Sequence, residues 1–199
     1  EEYSFQGFRV LLLAECDDKF SSSSAKPIAL ILLQDNIRKD APKTIEWFKQ
    51  NEVDIKIISG DNPITVSEVA RRCGVDNADK YISLQGMSPN EVMEAADKYT
   101  IFGRVSPEQK AILVKTLKSQ GKTVAMTGDG VNDILALKEA DCSIAIAAGS
   151  DAARSVSQLV LLDSNFSSMP SVVAEGRRVV NNVQKSSSLF LMKTMFAIC

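Results

Sequence analysis

The chain has 199 residues, 45% of them apolar, and a net charge of -2 from 23 basic and 25 acidic side chains, enough apolar material for a real core. Both signs are interspersed, with no basic stripe and no acidic tail, which excludes a nucleic-acid partner. Histidine is absent, removing imidazole bases, phosphohistidine and histidine metal sites, so any chemistry must rest on carboxylates, lysine, hydroxyls and a hard cation.

Residues 8 to 14 read as a strand, and the serines at 21 to 24 form a polar break where a boundary falls. From Pro27 onward, apolar runs alternate with segments of helical period: residues 28 to 33, then a helix over 41 to 51, then a strand over 53 to 58. That rhythm predicts a parallel sheet. Asn62-Pro63, Ser88-Pro89 and Ser106-Pro107 each put a capping side chain before a proline at the first helical position. Ser88 with Glu91 and Ser106 with Gln109 have capping-box spacing, and Gly74 and Gly121 stand where the first and third of these helices should end. Residues 99 to 102, 142 to 147 and 159 to 162 continue the strand series. After Pro170 a single long helix is expected from Val172 onward.

Cys16, Cys73, Cys142 and Cys199 are widely spaced, without a Cys-x-x-Cys pair, and read as buried thiols of a reducing compartment. The first residues, Glu1-Glu2-Tyr3-Ser4-Phe5, do not form a secretory signal. Residues 189 to 199 are apolar apart from Lys193 and Thr194. They are either the first half of a membrane helix, which needs about 20 apolar residues, or the apolar face of a docked terminal helix.

The chemistry-bearing residues fall at the ends of separate strands, where ligands of parallel sheets bind. Thr127-Gly128-Asp129-Gly130-Val131-Asn132-Asp133 follows a short apolar run. Its glycines admit close backbone approach, and Asp129 and Asp133 supply hard oxygen ligands suited to Mg2+ beside phosphate. Ser59-Gly60-Asp61 offers a hydroxyl and amides before a helix whose dipole favours an anion, although the same residues also make an ordinary turn. Lys110 lies near a helix start, where a cation opposes the dipole unless something negative sits nearby.

Taken in order, Ser59-Gly60-Asp61, Arg104-Val105-Ser106-Pro107-Glu108-Gln109-Lys110 and Thr127 through Asp133 closely resemble the phosphorylation domain of P-type cation-transporting ATPases. Asp35-Asn36-Ile37-Arg38 resembles that family's hinge. Ala140-Asp141 through Leu162-Asp163-Ser164-Asn165-Phe166 resembles the segment after its Gly-Asp-Gly loop, and Glu175-Gly176-Arg177 its stalk. The resemblance implies a haloacid-dehalogenase-like Rossmannoid fold, a parallel sheet flanked by helices. It divides the chain into the end of a nucleotide-binding domain (1–25), the phosphorylation domain (26–170), and a stalk helix with the start of a membrane span near Leu189 (171–199). It implies ATP and Mg2+ as cofactors, a transported cation and the membrane as partners, and a place on the cytoplasmic face of a membrane.

Carried over by position, Asp129 coordinates Mg2+ with Asp133 as a second metal carboxylate, while Asn132 and Asp133 hold the loop and its hydrogen bonds around the phosphoryl site. Ser59, Gly60, Asp61, Gly128 and Asn132 cradle the phosphoryl group, Lys110 neutralises its charge, and Arg104, Arg38 and Asp35 lie towards the nucleotide. Ser59, Lys110 and Asp133 form the catalytic set, as suits phosphoryl transfer governed by positioning and charge neutralisation.

One element of the family pattern is absent. The nucleophilic aspartate belongs to an Asp-Lys-Thr-Gly-Thr motif, which occurs nowhere in these residues; Asp97-Lys98-Tyr99-Thr100 lacks the glycine and sits in an amphipathic stretch. The resemblance places the nucleophile's strand at the sheet's centre, between those ending at Ser59 and Thr127, so it must come from an upstream segment of the same protein. These residues alone are expected to be inactive and unstable. Ile134-Leu135 replaces the Ala-Pro of the heavy-metal branches, leaning towards bacterial pumps for calcium and similar cations. Two other classes remain open on sequence: a soluble phosphatase of the same superfamily, and a non-catalytic nucleotide-binding module.

Overall fold

A computed structural model describes residues 3, 6–15, 26–34 and 36–198. Its elements are β1 (Arg9–Glu15), β2 (Lys26–Leu33), α1 (Ala41–Gln50), β3 (Ile57–Ile58), α2 (Pro63–Arg72), β4 (Tyr81–Ser83), α3 (Pro89–Lys98) and β5 (Ile101–Gly103). Then come α4 (Pro107–Ser119), β6 (Ala125–Gly128), α5 (Ile134–Glu139), β7 (Cys142–Ile146), α6 (Asp151–Val156), β8 (Leu159–Leu161) and α7 (Met169–Ile198).

The three proline-marked helices start where their caps predict. Asn62 accepts the Ile64 amide at 2.9 Å, and the Glu91 carboxylate accepts the Ser88 amide at 2.8 Å. Ser106 and Gln109 satisfy each other's amides at 3.3 and 3.0 Å. Gly74 and Gly121 end α2 and α4 with φ of 83° and 83°. Replacing Ser106 by alanine should lower stability by about 1 kcal/mol, measured as a denaturant midpoint.

Parallel strands form two separate three-stranded sheets, ordered β3-β5-β4 and β6-β7-β8. In β5, Ile101 and Phe102 are buried on opposite faces, as a strand covered on both sides requires. β3 and β6 each pair on one side only, with β5 and β7, so both inner edges are open among the described residues. Helices hold the two sheets together across that gap. On one face α4 sends Leu113 and Leu117 into the core over the first sheet and Val114 into the core over the second. On another, α1 places Ile45 against the first and Phe48 against the second, where Phe48 stacks on Phe166. A cleft of about 600 Å³ runs along β3, lined by Ile57, Ile58, Ser59, Ala41 and Thr65.

Several expectations need correction. The strand expected over 53 to 58 is only Ile57–Ile58, because Val53 is exposed and turns its amide back to Phe48. Strand Tyr81–Ser83 was not expected; it joins the sheet through β5 alone. β2 pairs antiparallel with β1 rather than entering a parallel sheet, and the hairpin leaves Leu12, Ile28 and Leu30 exposed. Cys73 and Cys142 are half-buried, not buried; Cys16 and Cys199 lie outside the described residues, as does the serine run. The long helix is present and begins at Met169, with Pro170 in its first turn, where a missing amide costs nothing. No helix among the described residues is long and apolar enough to cross a membrane.

At the amino-terminal pole of the first sheet, the half-buried Lys56 ammonium donates to the Tyr99 carbonyl at 2.7 Å and lies 5.8 Å from the Phe102 ring centre. Burial, then the Lys122 charge, pushes its pKa below the ordinary lysine value; Asp97 and Asp54 partly offset this and Lys80 adds to it. The unfolded chain therefore binds more protons at this group. Its contribution to stability should rise as pH climbs towards about 10.4, and Lys56→Met should remove that contribution, read as the difference between wild-type and variant urea midpoints at two pH values.

Candidate active site

The loops after β3 and β5 are tied to each other by hydrogen bonds, and the loop after β6 meets α4, the helix that follows β5. Beyond β3, the Ser59 hydroxyl accepts the Asp61 amide at 3.1 Å, and the Ser59 carbonyl accepts the amide of Val105 at 3.1 Å. Asp61 in turn accepts the Arg104 amide at 2.9 Å, so the Ser-Gly-Asp turn and the entry to α4 are tied backbone to backbone. Arg104 takes a left-handed φ of 53° to turn the chain into the Ser106 cap, and its side chain is exposed.

One turn into α4, the Lys110 ammonium contacts Asp133 Oδ1 at 2.6 Å, with only 13% and 10% of the two side chains exposed. This carboxylate is the negative group that the position of Lys110 near a helix start demands. The second oxygen of Asp133 accepts the amides of Asp129 and Gly130 at 3.3 and 3.1 Å, closing the Gly-Asp-Gly loop under itself. Gly128 permits this fold, because a Cβ there would lie 2.6 Å from the Asp133 Cβ. Asp129 is exposed, and its carboxylate makes no hydrogen bond or ion pair among the described residues. Asn132 is exposed too, so Asp133 rather than Asn132 does the bracing.

Other candidates are placed differently. The Arg38 guanidinium donates to the Ser164 carbonyl at 3.1 Å, and Asn165 donates to Asp40 at 3.2 Å, clasping the segment before α1 to the loop before α7. Within this clasp, hydrogen bonds from Ser168 and then the Asn165 amide hold the Asp163 carboxyl below its usual range. Ser167 and then Asn165 do the same for Asp40. Asp35 lies outside the described residues. Asp97 is a surface group paired with Lys122 at 2.5 Å, as its amphipathic setting suggests. No three acidic or cysteine side chains come together as a metal cluster among the described residues.

Sequence reasoning passed over two contributors. Asp141 accepts the Val124 amide at 2.9 Å and meets Lys118 at 3.1 Å, fixing the start of β6; that amide, then Lys118, holds its pKa down. Ser150 donates its amide to the Asp129 carbonyl at 2.7 Å. The available signal was the Gly149-Ser150-Asp151 turn after a strand, an ordinary helix entry without these contacts.

Residues 3–141 match the family model for haloacid dehalogenase-like hydrolases. Over 198 residues the chain is 46% identical to the "Probable cation-transporting ATPase exp7" of Streptococcus pneumoniae, covering 96% of this chain and 25% of that protein. It is 44% identical over 202 residues to "Calcium-transporting ATPase CtpE" of Mycobacterium bovis, covering 100% of this chain and 25% of that one. It thus spans about a quarter of the length of these curated relatives. Among solved structures, a zinc-transporting PIB-type ATPase in its E2.Pi state superposes with a TM-score of 0.68 at 23% identity, over 100% of this chain and 28% of that one, a likeness of fold. A family model matched over most of the chain, on parallel sheets with polar loops after their strands, means that this protein belongs to the haloacid dehalogenase-like hydrolases, with cation-transporting P-type ATPases as its relatives.

Proposed function

We propose that the chain is the phosphorylation domain of an ATP-driven cation pump on the cytoplasmic face of a membrane, working through an aspartyl-phosphate. The carrying observation is the buried Lys110–Asp133 pair at the end of an open-edged strand, beside the uncommitted Asp129 carboxylate. An upstream segment bearing the nucleophile lies between β3 and β6, which brings its aspartate between Ser59 and Asp129. The β1–β2 hairpin, which runs across the boundary expected at residue 25, closes the nucleotide-binding domain, and residues 171–199 form the stalk and enter the membrane near Leu189. The transported ion is calcium, a reading supported by the 44% identity to the calcium-transporting ATPase of Mycobacterium bovis.

An exposed carboxylate without a partner fits Mg2+, which takes one or two carboxylates together with substrate phosphate and keeps several waters. Asp129 would hold the ion. Asp133, its oxygens taken by Lys110 and two amides, acts by fixing the Asp129 backbone. Bound there, Mg2+ would neutralise phosphoryl charge. Lys110 supplies a fixed positive charge at the same place, Ser59 a hydroxyl, and Gly60, Asp61, Gly128 and Asn132 the surrounding polar groups. Arg104 meets the ATP phosphates from the entry to α4, while Arg38 and Asp35 serve the hinge.

The test is to incubate the full-length protein with Mg2+ and γ-labelled ATP across a panel of cations. An acid-stable, hydroxylamine-labile phosphoprotein whose level responds to calcium is expected. A well-folded protein giving none under any cation would overturn the proposal.

A further inference from the structure

Asp129 is held from behind by the turn that follows β7. Its amide bonds to Asp133 and its carbonyl to the Ser150 amide, so both of its main-chain polar groups are engaged while the carboxylate is not. Gly149 packs directly on this backbone. A Cβ at Gly149 would stand 2.4 Å from the Asp129 carbonyl oxygen and 2.9 Å from its Cα. These are backbone atoms, so no side-chain rotation relieves the clash, and Asp129 itself would have to shift. The φ of Gly149 lies outside the left-handed region, so the requirement is for closeness rather than for an unusual conformation.

The turn is anchored independently of Asp129. Gly149 donates its amide to the Ile146 carbonyl at 2.9 Å, and Arg154 donates to the Ala147 carbonyl at 2.5 Å. The Ala148 amide reaches the Ser164 hydroxyl at 3.1 Å, and the Ser150 hydroxyl caps α6 through the Ala153 amide at 3.1 Å. A part fixed on several sides and touching the Asp129 backbone can set where its carboxylate stands.

We infer that Gly149, acting with the Ser150 amide, is a positioning residue for Asp129, holding its backbone where the carboxylate meets the cation that accompanies phosphate. The inference rests on the proposed phosphoryl-transfer function. Mg2+ demands near-ideal octahedral geometry, so a displaced ligand weakens the ion before it affects nucleotide contacts.

The experiment uses the full-length protein as wild type, Gly149→Ala, Ser150→Ala and Arg154→Gln. In Gly149→Ala, the Mg2+ concentration for half-maximal phosphoenzyme should rise about 10- to 100-fold, as for displacement of a reacting group by about 1 Å. Half-saturation by ATP at saturating Mg2+ should stay put. Ser150→Ala removes the α6 cap but keeps the amide on Asp129, so it should lower stability with a Mg2+ shift well below that of Gly149→Ala. Arg154→Gln loosens the turn without adding atoms and should show a smaller Mg2+ shift, about threefold, on the scale of one lost hydrogen bond. Amide exchange over residues 127–133, read without Mg2+, should quicken most in Gly149→Ala and less in Arg154→Gln and Ser150→Ala, each of which removes one anchor of the turn.

Unchanged Mg2+ dependence and unchanged exchange in Gly149→Ala would overturn the inference, as would a Ser150→Ala shift equal to that of Gly149→Ala. If Gly149→Ala does not fold, Arg154→Gln decides by the same two readouts. If the wild type forms no phosphoenzyme, the pump function fails, and exchange over 127–133 still decides whether Gly149 braces the loop.

Discussion

Lys110→Met should slow phosphoenzyme formation from ATP by about 10²- to 10³-fold, the loss that follows removal of one preorganised electrostatic partner of a transition state. Methionine keeps the length and apolar body of the side chain, so the change isolates the charge. The same variant should be destabilised by about 3–5 kcal/mol, because Asp133 stays buried with its partner gone. Adding Asp133→Asn removes the stranded charge, and the double variant should recover most of the stability but none of the rate. Single-turnover phosphorylation and urea midpoints on the four proteins of this cycle provide the measurement. A rate within about tenfold of wild type in Lys110→Met would remove Lys110 from the reaction.

The second large effect concerns the open edges. β3 and β6 present backbone groups on their inner sides that nothing among the described residues pairs. The residues along these edges are in part exposed, so what the missing neighbour withholds is its ladder of hydrogen bonds, at about 0.5–1.5 kcal/mol net each, against a whole domain stability of about 5–15 kcal/mol. Residues 1–199 in isolation should therefore melt broadly and leave the amides of β3 and β6 weakly protected. The same residues joined to a segment able to pair with both strands should melt cooperatively and at higher temperature. Calorimetry with hydrogen exchange on the two proteins tests this. A sharp two-state transition for residues 1–199 alone, with full protection at Ala125–Gly128, would show that the edges need no partner.

Much of the architecture was legible because local signals agreed. Asn62, Ser88 and Ser106 each preceded a proline, which locates a helix start from the chemistry of orphan amides alone. The strand before Gly128 and the one at Cys142–Ile146 were legible as short apolar runs. What failed was strand length. Residues 53 to 58 carry a strand-like pattern, yet only Ile57 and Ile58 pair, because pairing depends on what lies alongside rather than on the segment. Tyr81–Ser83 escaped for the same reason: three residues have too little period to show, and β5 alone recruits them.

In the site, Lys110, Asp129 and Asp133 were visible as charges in telling places, and the resemblance gave Asp129 to the cation and Asp133 to the loop, but the contacts that separate them were not legible. That Asp133 is spent on Lys110 and on two amides, leaving Asp129 exposed, follows from the tight turn that Gly128 allows. Gly149 and Ser150 contribute through backbone proximity, which leaves no mark on residue type beyond a small side chain.

Helix α7 begins beside the loop that meets the Asp40 and Arg38 clasp and continues without a break for 30 residues. At about 1.5 Å per residue it is a rod of about 45 Å held near one end. Simple leverage then applies: a tilt of about 5° at the held end carries the far end through about 4 Å over that length. Angular play too small to disturb a hydrogen bond at Ser164 becomes, at Phe196, a displacement comparable to the radius of a side chain.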